Sequence, residues 1–209
     1  MRRTKEDSEQ TRLQILAAAR HVFARQGVIR TTLGEIAKAA GVTRGAIYWH
    51  FANKTELFYA MREQVSLPMV DRTGFAWLPA DTADPLGSIE RFLRDILDLL
   101  RNDEATRQTW QILGFKCEYV GELERELDSH NTRCTELYAS LTRVYRRAQR
   151  AGQLRNGLRP GMAALATCSF LVGLIRLWLI DRTGKLVRGK AVAVVKAHIA
   201  SQRRRAPAH

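Results

Sequence analysis

The chain has 209 residues, 45% of them hydrophobic and only five prolines, so it can bury a core and does not read as disordered. Its net charge of +13 sits at the two ends: residues 1–60 carry ten Lys/Arg against five Asp/Glu, 61–181 carry sixteen of each, and 182–209 carry eight basic residues and no acid. The three cysteines, Cys117, Cys134 and Cys168, are widely spaced without a C-x-x-C, which suggests neither a disulfide framework nor a zinc site and suits a reducing cytosol.

The opening Met1–Gln14 is charged throughout and does not read as a signal peptide. Arg2, Arg3 and Lys5 form a short basic arm, either a solvated tail or a strand laid along DNA. A first helix is expected over Ser8–Gln26, with Ile15, Ala19, Val22 and Phe23 as its buried stripe and Gly27 as its stop. Next, Thr32 and Glu35 have the spacing of a capping box. They open a short helix, Leu33–Ala40, whose apolar face is Ile36, Ala37 and Ala40. Gly41 suits the left-handed residue that ends it. Thr43 caps a third helix, Arg44 to about Trp49. Ala39, Ala40, Gly45 and Ala46 are small, so the two helices are expected to cross closely. Two short helices around a tight turn make a helix-turn-helix, whose second helix enters the DNA major groove.

Asn53–Glu56 reads as another cap, opening a fourth helix with Leu57, Phe58, Met61 and Val65 on one stripe. Pro68 is expected to kink or end it. Residues 71–87 hold two prolines and two glycines and read as an irregular link. A fifth helix is expected over Pro85–Arg101, a sixth over Glu104–Tyr119 and a seventh from Gly121 to Ala151. The eighth, opened by Pro160, contains the run Met162–Ile180, apolar on nearly every side. The ninth spans Lys190–Arg203. At 19 residues the eighth run is long enough for a membrane span. Arg176 within it would be costly in lipid, and a helix that is apolar all round also fits one that meets its own core and a partner subunit. A soluble chain is therefore expected, and helices 8 and 9 are the expected homodimer interface. The chain reads as all-α, with a DNA-binding domain over 1–54 (helix-turn-helix 33–52) and a second domain over 55–209.

In the recognition helix, Arg44 can pair with guanine or clamp a phosphate. Tyr48, Trp49 and His50 are consecutive polar-tipped aromatics, more than packing needs, and suit a surface that meets phosphates and thymine methyls. Phe51 reads as core. Lys54 at the start of helix 4 can meet a phosphate beside the helix N-terminus. Thr32 and Thr43 can bond phosphates as well as cap. With Arg3 and Gly45, these form the expected DNA-binding set. No nucleophile motif, phosphate loop or metal-ligand cluster accompanies the five histidines. His130 and Cys134 lie one turn apart, which is more often packing than a metal site. Neither enzymatic activity nor a metal or cofactor is expected.

Ile15–Ala19, Phe23, Gly27, Thr31-Thr32, Ile36-Ala37, Ala40-Gly41-Val42, Gly45–Phe51 and Lys54 resemble the DNA-binding domain of the TetR family of bacterial repressors. Asp84–Gly87, Ile112-Leu113 with Lys116–Glu118, and Gly173–Arg176 with Trp178-Leu179 resemble one branch, the AcrR-like and TtgR-like repressors of multidrug efflux pumps. The resemblance implies an all-helical cytoplasmic homodimer at the nucleoid. It would bind a palindromic operator and be released by a small effector held by helices 5 to 8. Carried over by position, the effector set is Phe92, Leu93, Ile96, Trp110, Leu113, Gly114, Cys134, Leu137, Leu141, Cys168, Val172, Ile175 and Arg176. Trp110 and Gly114 stand where relatives carry polar groups, and Val172 where one carries an acid. That implies a more apolar site and neutral aromatic effectors rather than dications. Two alternatives are a metabolic regulator with a dedicated ligand and a basic protein anchored by Met162–Ile180.

Overall fold

In the computed structural model, residues 5–65 and 83–204 are described. The expectations for Arg2, Arg3, Pro68 and residues 71–82 lie outside them. Nine α-helices occur among the described residues: α1 Lys5–Gln26, α2 Leu33–Ala40, α3 Arg44–His50, α4 Lys54–Glu63, α5 Pro85–Asn102, α6 Glu104–Phe115, α7 Glu124–Arg150, α8 Pro160–Ile180 and α9 Ala191–Gln202. Single 3-10 turns precede α7 and α9. No strand occurs among the described residues, and an isolated bridge joins Leu154 to Arg203.

The helices divide into two compact units that do not follow chain order. The first joins residues up to Ser66 with Asp103–Leu127, and the second holds Leu67–Asn102 with Asp128–His209. In the first, α1 packs against α2, α4 and α6. Its core contains Ile15, Leu16, Phe23, Ile36, Ile47, Phe51, Leu57, Phe58 and Met61, and also Ile112 of α6 and Leu123. In the second, α9 packs against α5 and α8. Buried there are Leu86, Ile89, Phe92, Leu93, Ile96, Leu97 and Leu100 of α5, and Leu137, Leu141, Val144, Tyr145 and Ala148 of α7. Leu127 and Tyr138 of α7 recur at helical spacing with these buried residues but are exposed.

Tertiary contacts move several helix ends. α6 stops at Phe115, one residue after Gly114 and four residues short of the expected Tyr119. The Lys116 carbonyl turns outward and accepts from the Val28 amide at 3.0 Å. Gly27, at φ +91°, allows that approach, since a Cβ there would lie 3.3 Å from the same carbonyl oxygen. α7 starts at Glu124, after Gly121 in the left-handed region. α8 is long and apolar enough to cross a membrane by length and composition. Its inner side, including Ala163, Thr167, Leu171, Ile175 and Trp178, is buried in the fold.

Candidate DNA interface and effector site

The helix-turn-helix is built by caps. The Thr32 hydroxyl accepts from the Glu35 amide at 3.2 Å, and the Glu35 carboxylate accepts from the Thr32 amide at 2.8 Å, a reciprocal pair that fixes the start of α2. The Thr32 amide, followed by the Gln26 side chain and the Thr32 hydroxyl, holds the Glu35 carboxyl below its usual range. Gly41, at φ +66°, closes α2, its amide donating to Lys38 and Ala37 carbonyls. Thr43 caps α3 by accepting from the Ala46 amide at 3.2 Å. Both threonines are exposed and keep a capping role whatever else they touch.

α3 seats itself through Ile47, which is fully buried, and through Phe51 at its end. The Arg12 guanidinium lies 5.5 Å from the Phe51 ring centre, so a cation from α1 backs the end of the recognition helix. Arg44 and Gly45 are exposed, and His50 is half-buried with its ring 6.2 Å from that of Phe51. Tyr48 is 51% exposed and Trp49 82%. A tryptophan that far out contributes little to the core, so its apolar area remains available to a partner.

Two expectations need correction. Gly45 and Ala39 are exposed and do not make the helix crossing tight. A Cβ on Gly45 would meet only the Thr43 hydroxyl, at 3.8 Å. What the glycine provides is a bare patch beside Tyr48 and Trp49. Lys54, expected at a phosphate, instead donates to the carbonyls of Val28, Ile29 and Thr31 at 2.8, 2.9 and 2.9 Å. An ammonium has three donors, and all three are spent on the α1–α2 loop. Burial holds this lysine below its usual pKa.

The nominated effector residues separate between the units. Trp110, Leu113 and Gly114 belong to α6 in the first unit, where Leu113 packs on the N-terminal core and Gly114 is exposed. The others lie in the second unit. Phe92, Leu93, Ile96, Leu137, Leu141 and Ile175 are buried there, Cys134 and Cys168 half-buried, and Val172 and Arg176 exposed. Burial raises both thiols, Cys168 to about 11 with a smaller push from Cys134. Both cysteines therefore stand in their unreactive thiol forms at neutral pH. Cys134 Sγ lies 3.5 Å from His130 Nε2, and no group of three or more metal-ligating side chains occurs among the described residues. An open hollow of ≈ 650 Å³ on the outer side of α1, lined by Glu6, Glu9, Gln10, Leu13 and Gln14, involves none of the nominated residues.

Three arrangements were missed in the sequence. Arg62 of α4 pairs with Glu126 of α7, Nε to Oε1 at 3.1 Å, in a nearly buried contact. Arg20 of α1 donates to the Gln64 side chain at 2.7 Å. Tyr145, Thr167 and His198 form a chain across α7, α8 and α9, with oxygen–oxygen and oxygen–nitrogen separations of 2.6 and 2.9 Å. Each joins residues distant in sequence, so no spacing announces them. The one available signal is a charged or polar residue flanking an apolar stripe, as Arg62 follows Met61.

Residues 15–61 match the profile of the bacterial regulatory proteins of the tetR family, and residues 84–202 match that of the MAATS-type transcriptional repressor C-terminal region. The chain belongs to the TetR family. The second profile runs through α8, which makes that helix part of the family's C-terminal region rather than an appended anchor. This TetR-family regulator is 39% identical over 180 residues to the HTH-type transcriptional regulator TtgR of Pseudomonas putida, covering 86% of this chain and 85% of that protein. Among solved structures it is similar to NalD, the secondary repressor of the MexAB-OprM multidrug efflux pump in Pseudomonas aeruginosa. That match has a TM-score of 0.78 at 32% identity over 96% of this chain and 99% of the other. It also matches SmeT in complex with triclosan, at TM-score 0.72 and 27% identity over 93% and 92% of the two chains. SmeT represses the SmeDEF multidrug efflux pump of Stenotrophomonas maltophilia. The family and these relatives are DNA-binding regulators of bacterial transcription, not enzymes.

Proposed function

We propose that this regulator represses a multidrug efflux operon from the cytoplasm and leaves its operator when a neutral aromatic compound binds. The observation that carries the reading is that similarity extends past the DNA-binding helices through residues 84–202. The relatives it reaches include efflux-pump repressors, one of them in complex with triclosan. The effector-binding side chains are Phe92, Leu93 and Ile96 of α5, Leu137 and Leu141 of α7, and Ile175 of α8. These aliphatic and aromatic groups suit a ligand recognised by shape and apolar area, with few polar contacts to orient it.

The regulator acts as a homodimer on a palindromic operator. On α8, Met162, Leu165, Val172, Leu177 and Ile180 are exposed in the single chain and recur at helical spacing on its outer side. α9 adds Ala193, Ala197 and Ala200, small and exposed. Two copies of this helix pair would bury the stripe as a four-helix bundle. Arg44, Tyr48, Trp49 and His50 meet the major groove, Gly45 allows close approach, and Thr32 and Thr43 lie beside the phosphates. Operator and effector favour different arrangements of the dimer, so each biases the population against the other.

The test is to sequence DNA retained by the purified protein, with and without triclosan and a panel of aromatic drugs. An inverted repeat upstream of a pump operon, lost on adding an aromatic compound, is the expected result. A direct repeat, or a site beside a metabolic operon insensitive to the whole panel, overturns the reading.

A further inference from the structure

The chain passes between the two units at Asn102/Asp103 and at Leu127/Asp128 within the described residues. A carboxylate stands at or beside each crossing, Asp103 as the first residue of its segment and Glu126 one position inside Leu127. Just before the second crossing, Glu126 meets Arg62 of α4 at 3.1 Å, with both side chains largely removed from solvent, Glu126 to 2%. The same stretch is held to α4 twice more. Thr55 donates to the Glu122 carboxylate, and the Tyr59 hydroxyl donates to the Glu122 carbonyl at 3.3 Å. Arg125 lies 5.9 Å from the Tyr59 ring centre. Just after the first crossing, Asp103 caps α6 by accepting from the Ala105 and Thr106 amides and the Thr106 hydroxyl at 2.9, 3.3 and 2.6 Å. It also acts electrostatically on Arg20 of α1, which donates to Gln64 just past α4.

α7 is one continuous helix from Glu124 to Arg150. A shift of α7 beyond Leu127 therefore moves Glu126, and a buried ion pair at contact distance gives α4 little slack. α4 carries the Lys54 clamp on the α1–α2 loop, and its cap lies two residues after Phe51, the end of the recognition helix. The geometry points to Arg62 as a positioning residue of effector-driven release: it ties α4 to a carboxylate beside the point where the chain enters the second unit. This rests on the effector-release reading above. Arg62 touches neither DNA nor effector in that reading; it acts through the carboxylate it holds.

The experiment compares the wild type with R62K, R62M and R62M/E126M. Replacing a whole buried pair by apolar groups is tolerated better than removing one partner, so the double variant carries the test where R62M does not fold. Operator affinity is read by anisotropy on the recovered operator, with triclosan as the probe. The expected result is that R62M/E126M binds DNA within about threefold of the wild type but loses at least tenfold of the triclosan-induced weakening, while R62K retains it. Full release by the double variant overturns the proposal, and so does parallel loss of affinity and release. If triclosan does not release the wild type, the effector reading fails for that probe, and hydrogen exchange decides the positioning role. Operator binding is then expected to change amide protection over 128–150 in the wild type and not in R62M/E126M. The same change in both, or none in the wild type, overturns it.

Discussion

The Lys54 ammonium lies 2.8 Å from the Val28 carbonyl oxygen, joining the first residue of α4 to the loop that follows α1. With the Ile29 and Thr31 carbonyls it makes three charge-assisted bonds from one side chain. K54M removes all three and leaves partly buried carbonyls without that donor. The expected cost to folding stability is roughly 2–3 kcal/mol, measured by urea denaturation. Operator affinity should fall with it, because the loop sets where α2 begins. Unchanged stability would return Lys54 to the role of a phosphate contact.

Trp49 separates binding from folding in the opposite direction. Its side chain is almost wholly in solvent, so W49A should leave stability within about 0.5 kcal/mol. If α3 reads DNA through this face, operator affinity should drop about tenfold or more, as for a large aromatic at the centre of an interface. Wild-type affinity in W49A would remove the residue from the interface.

Arg44 can be assigned by salt dependence. A phosphate contact releases a counterion, so R44A should flatten the slope of log affinity against log salt by about one. A guanine contact should instead relax the preference at a single base pair. A variant that changes neither quantity excludes Arg44 from the complex.

The α7–α8–α9 chain predicts acid sensitivity. The His198 ring stacks on Phe170 at 4.1 Å between centres, and its Nε2 meets the Thr167 hydroxyl. Burial holds its pKa below 6.5 in the folded protein, and no charged group contributes to the shift. The unfolded chain therefore takes up a proton first. The contribution is fully present above pH 6.5 and is lost as pH falls through the folded value. Denaturation midpoints between pH 7.5 and 5 should decline in the wild type and flatten in H198Q. Parallel curves would refute this.

Leu165 lies halfway out on α8, at 50% exposure. L165E places a carboxylate in the proposed two-fold interface opposite its own copy. Sedimentation should show a monomer with intact helical signal, and operator affinity should fall with dimer concentration. A dimeric L165E would move the interface elsewhere.

The sequence made the caps and helix faces legible because their signals are local. Thr32 with Glu35, Gly41 and Thr43 stand where the backbone needs them, and Phe51 is core. The helix-turn-helix could therefore be read from twenty residues. What could not be read depends on distant partners. The end of α6 is set by the Val28 amide, 88 positions away from Lys116. The role of Lys54 is set by three carbonyls before α2, and the Arg62–Glu126 pair by two helices with no common spacing. Leu127 and Tyr138 fit an apolar stripe and are nonetheless exposed, because periodicity gives a face without saying how far along the helix a neighbour reaches.

The packing of Ile112 and Leu123 among the N-terminal helices bears on how such a regulator could be recombined. A chimera joined near residue 55 would graft a reading head whose core lacks Ile112 and Leu123 as well as Leu57, Phe58 and Met61 of α4. It would also leave α6 facing a foreign surface. The transplantable piece is discontinuous, residues up to 65 together with 103–127. Exchange of operator specificity between relatives is then a matter of two coordinated insertions, or of replacing only the exposed face of α3 and leaving everything behind it untouched.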